Sequence, residues 1–150
     1  MPGVTPENVE AFERKFMQDR TLWFMLATVI LLFSIVYVFW QAESNFRPVE
    51  VKLPASFSPQ AVEGRELFIL NCRKCHGQNG SGTNQGPPLV HIIYEPSHHS
   101  DVGFHRAVSQ GAAQHHWPYG NMPAISNVSD DEVTKIISYV RELQRANGIN

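Results

Sequence analysis

Cysteine is scarce in this chain: Cys72 and Cys75 are the only two in 150 residues. A zinc site needs about four ligands, and no second cysteine pair exists to complete one. A thioredoxin-like redox pair would need a βαβ context, and no such pattern is present. An excess of one charge is lacking as well. Twelve Lys and Arg against 14 Asp and Glu leave a formal charge of −2 and a pI near 6.4. No strongly basic face therefore advertises nucleic acid. The glycines at 77, 80 and 82 come without a Lys-Ser/Thr pair or a strand-to-helix context, so a phosphate loop is not supported.

What is present is distributed unevenly. Thr21 to Trp40 holds no charged residue, and its only polar members are Thr21, Thr28 and Ser34. Twenty helical residues span roughly 30 Å, enough to cross a bilayer core. Trp23 and Phe24 near one end, with Tyr37, Phe39 and Trp40 at the other, resemble the aromatic belts of a spanning helix. A cleaved signal peptide would have a shorter apolar core and small residues at its cleavage site, whereas Trp40 stands two positions before Ala42. The expectation is an uncleaved transmembrane signal anchor over residues 21–40. Residues 1–20 precede it as a cytoplasmic-side segment. There Thr5-Pro6-Glu7 marks a helix start, and Val9, Phe12 and Phe16 share one face, suited to a membrane surface or a partner subunit. Residues 41–57 carry Pro48 and Pro54 without periodicity and read as an extended linker.

Residues 58–150 have the signals of a small all-α domain. Ser58-Pro59 starts a helix running to Leu70, with Ala61, Val62, Gly64, Leu67 and Phe68 as its apolar stripe. A second helix is predicted over 101–110, capped by Ser100, with Phe104, Ala107 and Val108 inward and Gly111 as its stop. The last is the clearest. Ser129-Asp130-Asp131-Glu132 is a capping box, followed at helical spacing by Val133, Ile136, Ile137, Val140 and Leu143. Arg141 and Arg145 favour its C-terminal end.

Cys72-Arg73-Lys74-Cys75-His76 lies at the end of the first of these helices. A Cys-x-x-Cys-His run is the attachment signature of c-type haem. Two thiols at this spacing each add to one vinyl group of a single haem, and the next residue offers its imidazole to the iron. One covalently attached haem c is therefore the expected cofactor. The nearby glycines then serve tight turns beside a bulky group. A second axial ligand is needed for six-coordinate iron. Met122, in Gly120-Asn121-Met122-Pro123-Ala124, is the only methionine after the apolar segment, and it sits in a loop where no apolar filler is needed. A neutral thioether favours ferrous iron and raises the potential relative to a second imidazole. His91, His98, His99, His105, His115 and His116 are its rivals. Their clustering also permits a separate copper or zinc site, above all at His98-His99 with His115-His116. No standard ligand spacing stands out among them, so most are expected to be surface or loop residues.

The ordered set of motif, Gly86-Pro87-Pro88-Leu89, Met122-Pro123-Ala124 and Tyr139-Val140-Arg141 resembles the class I monohaem cytochromes c of bacteria, in a membrane-anchored form. The resemblance implies a class I cytochrome c domain over 58–150, with first and last helices crossing near Gly64 and Tyr139 and Phe68 packed nearby. It also implies that the Pro87 carbonyl accepts the second ring N–H of His76. The His91–His99 stretch and the run from Gln114 to Tyr119 fall outside its core pattern. The iron ligands it implies are His76 and Met122. The expected function is single-electron transfer between membrane redox complexes, as a carrier and not an enzyme, possible also as a fixed subunit of a respiratory or photosynthetic complex. Expected partners are a membrane-embedded redox complex or a soluble redox protein, the lipid bilayer, and no nucleic acid. Because bacteria attach haem on the exported side, the haem domain is expected on the periplasmic face of the inner membrane, held by a single pass. The competing readings are a haem-based ligand sensor with a labile Met122 and a histidine-rich metal-handling protein.

Overall fold

The computed structural model describes residues 5–44 and 46–150. The first four residues of the expected segment 1–20, and Asn45 of the expected linker, lie outside the described residues. Two compact units emerge, Met1–Asn45 and Phe46–Asn150. Among the described residues the fold is helical, and pairing outside helices is confined to two isolated antiparallel bridges, Thr83–Gly86 and Ala112–Met122.

The first unit is one helix, α1 (Pro6–Ser44). It starts at the proline, as the Thr5-Pro6-Glu7 signal predicts, but it does not break at residue 20 or stop at residue 40. No helix breaker separates the polar first turns from the apolar run, so the two propagate as one rod. Among the described residues, one helix is thus long and apolar enough to cross a membrane. Every large apolar side chain from Leu22 to Trp40 is exposed. Three of its hydroxyls are satisfied within the helix: Thr21 donates to the Met17 carbonyl, Thr28 to Phe24 and Ser34 to Ile30, at 2.6–2.8 Å. Such back-bonding hides the only polar side chains of the segment from an apolar solvent. On the polar part, Phe12 stacks on Phe16 at 6.4 Å, and Arg14 pairs with Glu10.

The second unit is built on α2 (Pro59–Asn71), α3 (Arg73–His76), α4 (Asp101–Gln110) and α5 (Asp130–Ala146). The Ser58 hydroxyl caps α2 by accepting from the Ala61 N–H, and Ser129 and Glu132 complete the predicted capping box on α5. Ser100 precedes α4 as predicted, though its hydroxyl makes no capping bond. α2 and α5 cross in direct backbone contact at Gly64. A Cβ there would stand 1.9 Å from the Lys135 carbonyl oxygen, so only glycine permits the approach. One turn further along α5, the fully buried Tyr139 packs on Phe68 at 5.5 Å and Phe57 at 5.3 Å. Ala61, Phe68, Leu89, Val90, Ile136, Tyr139, Val140 and Leu143 make the core. Val62 belongs elsewhere: it is half exposed, because it sits about 100° round the helix from Ala61.

One further expectation needs correction. Residues 46–57 are no free linker. The Val49 N–H donates to the Ser81 carbonyl, Lys52 exchanges backbone bonds with the Asn147 side chain at 2.8–2.9 Å, and Phe57 packs on Tyr139. A stretch without helical or strand periodicity still bonds where the domain offers it partners, and the compact unit therefore begins at Phe46, before Ser58. Arg141, expected only to favour the C-terminal end of α5, is also buried.

Candidate functional site

The haem-attachment motif is one tight turn held by a single carbonyl. The N–H groups of Cys75 and His76 both bond to the Cys72 carbonyl, at 3.2 and 3.0 Å, while the Cys72 N–H still closes the last turn of α2 on Phe68. Both thiols and the imidazole are thereby placed on α3 without an intervening loop. Thr83 bonds the Cys75 carbonyl at 2.6 Å, and the Gly82 N–H bonds that of His76 at 2.7 Å. Gly86 rests directly on the motif, since a Cβ there would lie 2.8 Å from the Cys75 carbonyl oxygen. The loop from Gly77 to Gly82 makes the predicted tight turns, with φ of 76°, 69° and 85° at its three glycines.

His76 is nearly buried, and its Nδ1 lies 2.9 Å from the Pro87 carbonyl. A carbonyl can only accept, so Nδ1 carries the proton and Nε2 keeps its lone pair. Burial lowers the imidazole pKa, partly offset by that hydrogen bond, and keeps the ring neutral. The thiols are half-buried and unlinked. Burial, with Cys75 adding to it, pushes the Cys72 thiol up to about 11. Dithiol redox sites do the reverse and depress the pKa of one thiol, so this pair does not resemble one.

Met122 stands on the loop joining α4 to α5. Its N–H and carbonyl exchange bonds with Ala112 at 2.9 and 3.0 Å, which pins the neck of the 112–122 loop to the end of α4. Ile125 bonds back to Val108, and Asn127 reaches Asn71, the neighbour of Cys72, at 2.9 Å. Met122 is half-buried, and its position is set by backbone pairing, leaving the thioether free to serve as a ligand.

Of the rival histidines, His91 caps the turn at Ile93 and sets its ring against Trp117, and His105 contacts Thr134 and Asp130. His98, His99 and His116 gather elsewhere. These residues fit a haem: free thiols one turn apart, an imidazole with a fixed tautomer, and a thioether on a braced loop. Trp117 adds a further sign. Its Nε1 is buried beside the Tyr94 hydroxyl without a satisfactory hydrogen bond, and a carboxylate-bearing group would give it an acceptor. Sequence reasoning gave neither Trp117 nor Arg141 a role at the site; the only signal for the former was an indole immediately before Pro118.

A family model described as cytochrome c matches residues 61–144. Thiosulfate dehydrogenase of Allochromatium vinosum is 33% identical over 86 residues, which is 55% of this chain and 31% of that enzyme. The chain thus spans about a third of the length of this curated relative. The crystal structure of cytochrome CL from the marine methylotrophic bacterium Methylophaga aminisulfidivorans MPT shares 28% identity, covering 55% of this chain and 51% of that one, with a TM-score of 0.43.

Proposed function

The chain belongs to the cytochrome c family, and from that premise we propose that it is a membrane-anchored, monohaem electron carrier working between redox partners at a bacterial inner membrane. Membership implies a covalently bound haem c and electron transfer. When bound, that group supplies one-electron cycling of iron between Fe(III) and Fe(II).

The chain's own residues divide the remaining work. Cys72 and Cys75 tether the group, His76 offers Nε2 to the iron, and Pro87 holds the imidazole tautomer and strengthens its donation. Met122 is the second ligand. His76 and Met122 would both hold the iron, which would leave no coordination position for a substrate and favours a carrier over an enzyme. The observation that carries this reading is the His76–Pro87 hydrogen bond, because it prepares one ring nitrogen for a metal within a turn that also presents two unlinked thiols.

Anchoring is supported by α1, whose large apolar side chains between Leu22 and Trp40 are exposed and whose Thr21, Thr28 and Ser34 hydroxyls are bonded within the helix. The haem domain then lies on the periplasmic side, where haem is attached. Residues 58–150 hold seven Lys and Arg against eight Asp and Glu, too balanced to steer a particular partner electrostatically. Anchoring raises local concentration at membrane complexes instead. The Val9, Phe12 and Phe16 side chains, all exposed, fit a fixed subunit contact.

The test is the absorption spectrum of the haem-loaded protein, oxidised and reduced, including the weak far-red sulfur-to-iron band. That band is expected in the native chain and absent in Met122→His. Its absence from the native protein would remove Met122 as ligand. Reduction of the haem by thiosulfate alone, at a catalytic rate, would replace the carrier by an enzyme like the Allochromatium relative.

A further inference from the structure

Two loops outside the haem motif bring imidazoles together. The first carries His98 and His99, whose N–H groups both bond to the Glu95 carbonyl, at 3.1 and 2.8 Å, which fixes their turn just before α4. The second is the 112–122 loop, braced by Gln114 N–H to Asn121 at 2.9 Å and Gly120 N–H to the Gln114 side chain at 2.7 Å. It presents His115 and His116. Across the gap, His98 Nε2 and His116 Nε2 are 3.2 Å apart, and one ligand nitrogen from each of His98, His99 and His116 lies within 4.8 Å of the others.

That spacing has a chemical meaning. Metal–nitrogen bonds of 2.0–2.1 Å in a tetrahedral shell place neighbouring nitrogens about 3.3 Å apart. The His98–His116 pair already stands at that edge length. Closing the third nitrogen requires rotation of side chains that are exposed and free to turn, while His99, half-buried, provides the fixed corner. His99 is held as metal-binding imidazoles usually are. Its Nδ1–H donates to the Ile93 carbonyl at 2.6 Å, leaving Nε2 with its lone pair, and its own carbonyl is bonded by Arg141. His115 has the same arrangement, with Nδ1–H on the Ala113 carbonyl at 2.7 Å and its ring 4.3 Å from that of His116.

We propose that His98, His99 and His116 form a mononuclear site for a divalent ion of the copper–zinc group, with His115 placed to supply a fourth nitrogen. No carboxylate belongs to the set, which disfavours the oxygen-seeking Mg²⁺ and Ca²⁺. Neutral imidazoles suit copper and zinc, and the divalent series puts copper as the tighter of the two. Arg141 stands near His99, but its charge is paired with Asp101 at 2.8 Å. The site uses none of the residues assigned to the haem.

The experiment is calorimetric titration of the full-length, haem-loaded chain in detergent with Zn(II) and, separately, Cu(II). His98→Ala, His116→Ala and, as control, His105→Ala are titrated alongside. One equivalent of each metal is expected, copper the tighter. Loss of either loop's ligand should weaken binding by about 100-fold, while His105→Ala leaves it unchanged. An unaltered haem spectrum shows that each variant is folded. Weak binding of several equivalents, or an equal loss in the His105 control, would show only scattered surface imidazoles and overturn the site. The two metals are separated by the order of affinity: zinc binding without copper binding would overturn the assignment as an imidazole-only centre.

Discussion

Arg141 on α5 bonds Asp101 at the start of α4, Nε to Oδ1 at 2.8 Å, and this pair is unequal. The guanidinium side chain is 8% exposed and the carboxylate 62%. Arg141 also donates to the carbonyls of Tyr94 and His99 and to Gln144, and lies over the Phe104 ring at 4.9 Å. It therefore fixes the irregular stretch between the motif and α4 by satisfying carbonyls that no helix or sheet reaches. Arg141→Met should cost about 2–4 kcal/mol, since buried acceptors lose charge-assisted bonds. Asp101→Asn should cost less than about 1 kcal/mol, because the carboxylate is largely in water. Urea denaturation of the two variants measures the difference, and equal costs would contradict this division.

At the crossing of α2 and α5 the outcome is steric. Gly64→Ala places a methyl group 1.9 Å from a backbone oxygen that cannot turn aside. The helices must separate, and about 3 kcal/mol of stability is expected to be lost. Thermal unfolding of the haem-loaded variant should show it, and a melting temperature within a degree of the parent would rule the close contact out.

The cap of α5 gives a pH signature. Glu132 accepts from the Ser129 N–H and hydroxyl, at 2.8 Å each, and these bonds hold its carboxyl below the ordinary value. A folded-state pKa depressed below the unfolded one stabilises above the unfolded value and is lost as pH falls through the folded one. Glu132→Gln should therefore melt lower than the parent at pH 7, and the gap should narrow steadily below about pH 4.5. A gap that does not depend on pH would assign the effect to something other than the charged cap.

Local signals in the sequence located what is local in the structure. Ser58-Pro59, Ser129 with Glu132, and the five residues from Cys72 to His76 each act within a turn, so their letters suffice. Gly64 was placed by the class I resemblance, and the crossing partner turned out to be Lys135, one turn from Tyr139. The burial of Arg141 was not legible, because it depends on Tyr94, His99 and Asp101, some 40 residues away in the chain. The histidines at 98, 99 and 116 have no ligand spacing along the sequence, and only the folding of two loops toward each other brings their nitrogens together. Long-range pairing of irregular segments leaves no periodicity to find.

The same limit hid the true start of the domain, and truncation tests it. A chain beginning at Phe46 keeps the Val49–Ser81 bond, the two Lys52–Asn147 bonds and the Phe57–Tyr139 contact. A chain beginning at Ser58 keeps none of them, although it retains every helix of the domain and the whole motif. Three hydrogen bonds at about 0.5–1.5 kcal/mol each, partly exposed, and one half-buried aromatic ring at about 1–2 kcal/mol amount to roughly 3–5 kcal/mol. The loss falls on α5, because Tyr139 and Asn147 are both on it or at its end, and Tyr139 in turn bonds Asn79 beside the motif at 2.9 Å. The 58–150 chain should accordingly unfold at lower denaturant and expose the motif loop to faster hydrogen exchange than 46–150. Matching midpoints for the two truncations would return residues 46–57 to the role of a simple tether.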